Sequence, residues 1–184
     1  MKKIVVFLFA VVIVMSGYSQ DKYVSKNGHI WFFSKTPMEN IEAHNNQTAS
    51  YIDIKTGGIA FQLLMKSFKF DIALMEEHFN EEYVESDKFP KAEFKGAITN
   101  LSEIKFNKNG VYNVTVEGNL TIHGVTKKVK EKGTIEIANG KLIVKAKFNI
   151  VPQDYGIVIP NLVKEKFAKS MEVNVDMTYT ILKK

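Results

Sequence analysis

The sequence predicts an all-β protein: an antiparallel eight-stranded barrel that carries one amphipathic helix. Three observations predict it. Apolar and polar residues alternate with period two over most of the chain, turn residues part these runs at short intervals, and a single segment switches to helical spacing. Eight strands with one apolar face each must cover that face, and closure into a barrel does so while removing exposed edges.

The first residues form an address. Met1-Lys2-Lys3 is a positive start, Ile4 to Met15 is an unbroken apolar run, and Ser16, Gly17, Tyr18 and Ser19 follow as small and polar residues. This is the layout of a secretory signal peptide over 1–19, with cleavage before Gln20. The run is shorter than the roughly 20 apolar residues of a membrane-spanning helix. An uncleaved N-terminal anchor is the alternative. The domain is then 20–184. Removal of 1–19 takes away two Lys and no acid, leaving 23 Lys against 20 acids, a mild +3. The short Lys-Lys leader suits a bacterial exported protein and predicts a periplasmic location.

The strands follow in order. Ile30 to Phe33 and Tyr51 to Ile54 read as short ones. Ile59, Phe61, Leu63 and Met65 alternate, with Leu64 blurring the polar face. Phe94 to Phe106 reads as a longer, less regular strand. Val114, Val116, Leu120 and Ile122 alternate with Thr115, Glu117, Asn119, Thr121 and His123, and Ile135 and Ile137 continue the pattern. Leu142, Val144, Ala146, Phe148 and Ile150 form another strand, and Met171, Val173, Val175, Met177, Tyr179 and Ile181 the last. Asn109-Gly110 and Asn139-Gly140 are two-residue hairpin signals, since both residue types accept positive φ, and Thr56-Gly57-Gly58 is a further turn. Short connections imply an antiparallel meander.

The helix is predicted over about 71–84. Asp71 is a good N-cap residue, Ile72, Met75, Phe79 and Tyr83 share one face, and Glu76, Glu77, Glu81 and Glu82 take the other. Pro90 lies beyond its end. A second short helix is predicted over about 161–169, after Pro160.

Composition excludes several chemistries. All 25 basic residues are Lys, and Cys and Arg are both absent. No disulfide, thiolate metal site, Cys nucleophile or iron–sulfur centre can form, and the planar fork that best reads phosphate or guanine is missing. His29, His44, His78 and His123 are scattered without metal-type spacing, and His123, on the polar phase of its strand, is expected at the surface. The acids Glu76, Glu77, Glu81, Glu82 and Glu85 read as a solvated helix face. Lys127, Lys128, Lys130 and Lys132 read as edge-strand protection in a hairpin, not as a nucleic-acid surface, although a transient contact with a membrane surface stays open. The apolar face is therefore the informative feature. With 13 Phe in the chain, its large residues can form a dry core or line a channel; alternation alone favours the dry core.

Gly118-Asn119-Leu120-Thr121-Ile122-His123-Gly124-Val125-Thr126-Lys127 resembles the YceI-like family, whose recurring segment is Gly, any residue, Leu-Thr-Ile, any residue, Gly-Val-Thr-Lys. Lys88-Phe89-Pro90, with Phe94 four residues on and His78-Phe79 in the helix before it, is a second match, and Asp154-Tyr155-Gly156-Ile157 a third, in the correct order. The resemblance runs from the helix to the C-terminus. It implies a lipocalin-like barrel with a helix near its opening, and an exported protein that binds a long apolar chain such as a polyisoprenoid or isoprenoid quinone. One departure is clear. Many members carry an Arg-Asp pair just before the helix His, where this chain has Leu74-Met75-Glu76-Glu77, so no head-group contact of that pair is implied here.

With the resemblance, the expectation is a periplasmic, non-catalytic lipid-binding protein. Phe61, Leu63, Val116, Leu120, Ile122, Val144, Phe148, Val175 and Met177 would line its apolar channel. No catalytic residue, metal site or cofactor is expected beyond the bound isoprenoid itself, and a dimer stays open. Two rivals remain: a filled barrel acting as an interaction module, for which outward Leu64 and Ile143 are the hint, and an enzyme acting on a lipid or a small apolar compound.

Overall fold

A computed structural model describes residues 21–182; the predicted signal peptide at 1–19 lies outside the described residues. Strands β1 (Lys22–Lys35), β2 (Asn40–Asp53), β3 (Gly58–Leu64), β5 (Lys91–Ile98), β6 (Gly110–Ile122), β7 (Val125–Ala138), β8 (Lys141–Ile150) and β9 (Met171–Ile181) form one antiparallel sheet. Each pairs with its neighbour in the chain, and β1 pairs with both β2 and β9, which closes an eight-stranded barrel. A two-residue strand, β4 (Lys69–Phe70), adds to β2 outside this circuit.

The first two strands are 14 residues each, far longer than the short pieces predicted. Their alternation is hidden because several inward residues are polar or lack a side chain: Ser25, Gly28 and Ser34 on β1, and Asn45, Thr48 and Ser50 on β2. Four of these buried groups find partners inside the protein, Thr48 Oγ1 donating to Asn45 Oδ1 at 3.4 Å. Asn45 Nδ2 donates to the Leu64 carbonyl at 3.0 Å, and Ser34 Oγ accepts from the Ala168 N–H at 2.9 Å. Ser50 Oγ donates to the Ala60 carbonyl at 2.8 Å and so accepts from Tyr179 Oη at 2.6 Å. A buried polar group with a partner escapes the desolvation penalty an orphan suffers.

The strand predicted from Phe94 to Phe106 ends at Ile98. Asn100 pulls the chain out of the sheet, accepting from the Thr115 N–H at 2.9 Å and donating to the Asn113 carbonyl at 3.0 Å. Asn109-Gly110 is accordingly not a two-residue hairpin; it ends a long connection and opens β6. Asn139-Gly140 does turn β7 into β8, with φ of 50° and 74°. The same primed geometry occurs where it was not expected, at His123-Gly124 between β6 and β7, with φ of 50° and 73°.

The helix is α1 (Ala73–His78), which runs on into a π-helical turn over Phe79–Tyr83. Its N-cap is Ile72, which carries no side-chain cap; Asp71 does not serve. Its apolar face closes one end of the barrel. Phe79 meets Phe32, Phe68 and Phe70 with ring centroids 5.6, 5.6 and 5.1 Å apart. The second predicted helix is a tighter 3₁₀ turn, Asn161–Lys166.

The barrel wall parts between β7 and β8. The β7–β8 ladder ends at Gly133↔Ala146, yet β6–β7 continues to Ile122↔Val125 and β8–β9 to Ile150↔Met171. Tyr155, only 4% exposed, clusters with Phe94 and Leu120, and Val125, Val129, Phe148 and Ile150 from the diverging strands pack against that cluster.

Candidate functional site

The barrel interior holds three apolar cavities in sequence. The mouth cavity, about 350 Å³, lies beneath the helix and the 157–167 loop, among Phe70, Met75, Phe79, Tyr83, Ile157 and Phe167. A middle cavity of about 110 Å³ shares Phe32, Phe79, Val84, Pro152, Ile157 and Met171 with it. An inner cavity of about 70 Å³ shares Phe61, Leu120 and Phe148 with the middle one. The interior is thus neither a solid core nor a wide pore.

The structure places the nine sequence-selected residues as follows. Phe61, Leu63, Leu120, Ile122 and Phe148 line the middle cavity. Val116, Val144, Val175 and Met177 line the inner one, which Phe61, Leu120 and Phe148 also reach. The mouth residues Val84, Pro152, Ile157, Phe167 and Met171 were not selected. Most lie in turns, where no alternation marks the inward side.

Few polar groups face this space. Glu39, Lys166 and His78 sit at the mouth, where Lys166 Nζ lies 3.6 Å from Glu39 Oε2. Glu131, on the inward phase of β7 opposite Val116, lines the inner cavity together with Lys132, and burial raises the Glu131 pKa. Tyr179 lines the same cavity, and its burial pushes the phenol up to about 12. The other predicted polar candidates lie elsewhere. His29 Nε2 and His44 Nδ1 are 2.9 Å apart, and both rings stack with Trp31. Burial, then the His44 charge, lowers the His29 pKa. Among the described residues no three His, Cys, Asp or Glu are grouped to hold a metal. Lys127 pairs with Asp154 at 3.2 Å and Lys130 with Glu117 at 2.6 Å.

His123 is not at the surface as expected; its side chain is only 10% exposed. The positive-φ turn folds the ring back into the structure. Nε2 lies 2.9 Å from Glu85 Oε2, Nδ1 lies 3.2 Å from the Tyr155 carbonyl, and Phe89 stands edge-on at 4.3 Å. The three sequence segments that carry the family resemblance therefore converge on one ring, and that convergence ties the hairpin, the post-helix segment and the 152–156 turn together.

A closed antiparallel barrel with an apolar, cavity-bearing interior is an architecture that binds hydrophobic molecules. The chain belongs to the YceI-like domain family, whose model matches residues 22–179. It is similar in fold to a polyisoprenoid-binding domain from Saccharophagus degradans implicated in plant cell wall breakdown, at 13% identity and TM-score 0.75, covering 88% of this chain and 99% of that one. Burkholderia cenocepacia BcnA gives 14% identity and TM-score 0.68, covering 82% and 95%. A Campylobacter jejuni YCEI protein gives 14% identity and TM-score 0.56 over the whole of both chains. No curated protein matches the sequence.

Proposed function

We propose that this protein is an exported, non-catalytic carrier or reservoir that holds a long apolar lipid of isoprenoid type inside the barrel. One observation carries the reading: the mouth, middle and inner cavities share lining residues and are walled almost wholly by apolar side chains. A flexible chain entering such a space gains about 0.8 kcal/mol per buried CH₂, so it needs no strong polar anchor. That suits a chain without Arg. The polyisoprenoid-binding Saccharophagus degradans neighbour supports the same ligand class, and the Lys-Lys leader supports a periplasmic location.

Catalysis finds less support. Glu131 is a carboxylate in the cavity with a raised pKa, but acid–base work also needs a positioned second group. Neither Glu131 nor His78 has a hydrogen-bonded side-chain partner among the described residues.

The test is extraction of lipid from protein purified from its native periplasm, read by mass spectrometry. An isoprenoid in stoichiometric amount is expected. Protein that comes out empty and refuses added isoprenoids overturns the proposal.

A further inference from the structure

We propose that the rim of the mouth cavity is a docking surface for a lipid bilayer. Among the described residues seven large apolar side chains are exposed, and four stand at this one end: Met38, Ile72, Leu74 and Val158, at 63, 52, 56 and 75% exposure. Ile72 and Leu74 line the mouth cavity and face water at once. Met38 precedes Glu39, and Val158 stands between Ile157 and Ile159, all three neighbours being lining residues of the same cavity. Exposed apolar residues on a soluble protein are ordinarily scattered singly; these four surround one opening.

The loop that carries Val158 sharpens the point. Residues 156–160 read Gly-Ile-Val-Ile-Pro, with no polar side chain. Ile157 and Ile159 turn into the cavity and Val158 turns out. A water-facing loop is normally built from polar turn residues; an apolar one suits the headgroup–acyl boundary of a membrane. Exposed Lys164, Lys169 and Glu165 lie in or beside this loop, Lys166 is paired with Glu39, and exposed Asp71, Glu77, Glu81 and Glu82 lie on the helix side. The charges around the rim are of both signs, so the apolar contact supplies the attraction.

The patch encloses the cavity's own entrance, and this decides the occupant. A protein or a second copy seated there would seal the opening. A bilayer is the phase in which apolar cargo resides, and docking lets a chain pass into the cavity without crossing water. In that last step the inference rests on the lipid-binding reading.

The test is flotation of the purified protein with phosphatidylcholine vesicles and with vesicles of phosphatidylcholine and phosphatidylglycerol in equal parts. Binding to both is expected, with little preference between them. Met38 and Val158 do not line the cavity, so the double variant Met38→Glu, Val158→Glu should lose about tenfold or more in vesicle partitioning. Its uptake of a dispersed, fluorescently labelled short isoprenoid should be unchanged, and Val111→Glu, at an exposed site on β6, should float as the unaltered protein does. Docking is overturned if the unaltered protein floats with neither vesicle, if the double variant floats equally well, or if the rim proves to be a self-association surface by sedimentation. A protein that binds vesicles through the rim yet takes up no isoprenoid overturns the lipid-binding reading and leaves docking standing.

Discussion

Gly96 and Gly118 face each other across the β5–β6 ladder, and the ring of Phe94 lies over both. A Cβ on Gly118 would fall 2.6 Å from Gly96 Cα, and one on either glycine would fall 2.7 Å from Phe94 Cζ. The pair lets a large ring lie flat against the inner wall, where it stacks with Phe61 at 5.3 Å. A side chain at either position would push that ring into the inner cavity.

Gly118→Ala should therefore lower stability by about 1–3 kcal/mol, because the displaced neighbours include backbone that cannot yield cheaply. Gly140→Ala is the contrast. Nothing lies within 4 Å of its added Cβ, but its φ is +74°, so only backbone strain applies, about 1 kcal/mol. Denaturant titration of both variants checks the order.

Glu85 and His123 predict an acid-sensitive fold. The hydrogen bond from His123 is the first cause that holds the Glu85 carboxyl below its ordinary range. A carboxylate with a lowered folded-state pKa contributes stability that is complete above the unfolded value and lost as pH falls through the folded one. Thermal melts should show stability falling on acidification across the glutamate range. Glu85→Gln should shallow that slope and lower the neutral-pH melting temperature.

Glu131 predicts the opposite sign. Burial raises its pKa, so its contribution is most favourable below the unfolded value and is lost as pH rises through the folded one. Glu131→Gln should raise the melting temperature at neutral pH, with the gain shrinking as the medium is acidified. A variant with no gain at neutral pH would show that the carboxylate reaches solvent through the parted β7–β8 wall.

Leu120→Trp and Phe148→Trp should block the passage between the middle and inner cavities, since both residues line both spaces. Overpacking is expected to cost about 1–3 kcal/mol, which leaves a folded barrel by circular dichroism. Bound lipid recovered by extraction should fall sharply in both. Undiminished lipid content would place the chain elsewhere.

Much of the barrel was legible because its later strands alternate cleanly. Period two marks the inward side of β6, β8 and β9 without reference to any partner, and the residues it selects there lie against the interior cavities. The signal failed where function or closure put polar side chains inside. Asn45, Thr48 and Ser50 give β2 no apolar period, and only the folded chain shows their partners: the Leu64 and Ala60 carbonyls on neighbouring β3, Asn45 Oδ1 for Thr48, and Tyr179 on β9. It failed again at His123, whose polar phase predicted water. The hairpin geometry and two distant segments, carrying Glu85 with Phe89 and Tyr155, hold the ring inward.

The phase of the later strands, the site of the helix and the family are written in local period, turn chemistry and contiguous motifs. It took the folded chain to show that the interior holds linked cavities, that the β7–β8 wall parts below Gly133, and that Met38, Ile72, Leu74 and Val158 stand around one opening. Packing density and shared exposure belong to residues far apart in the chain, and a periodicity shows which way a side chain points without showing what, if anything, it meets.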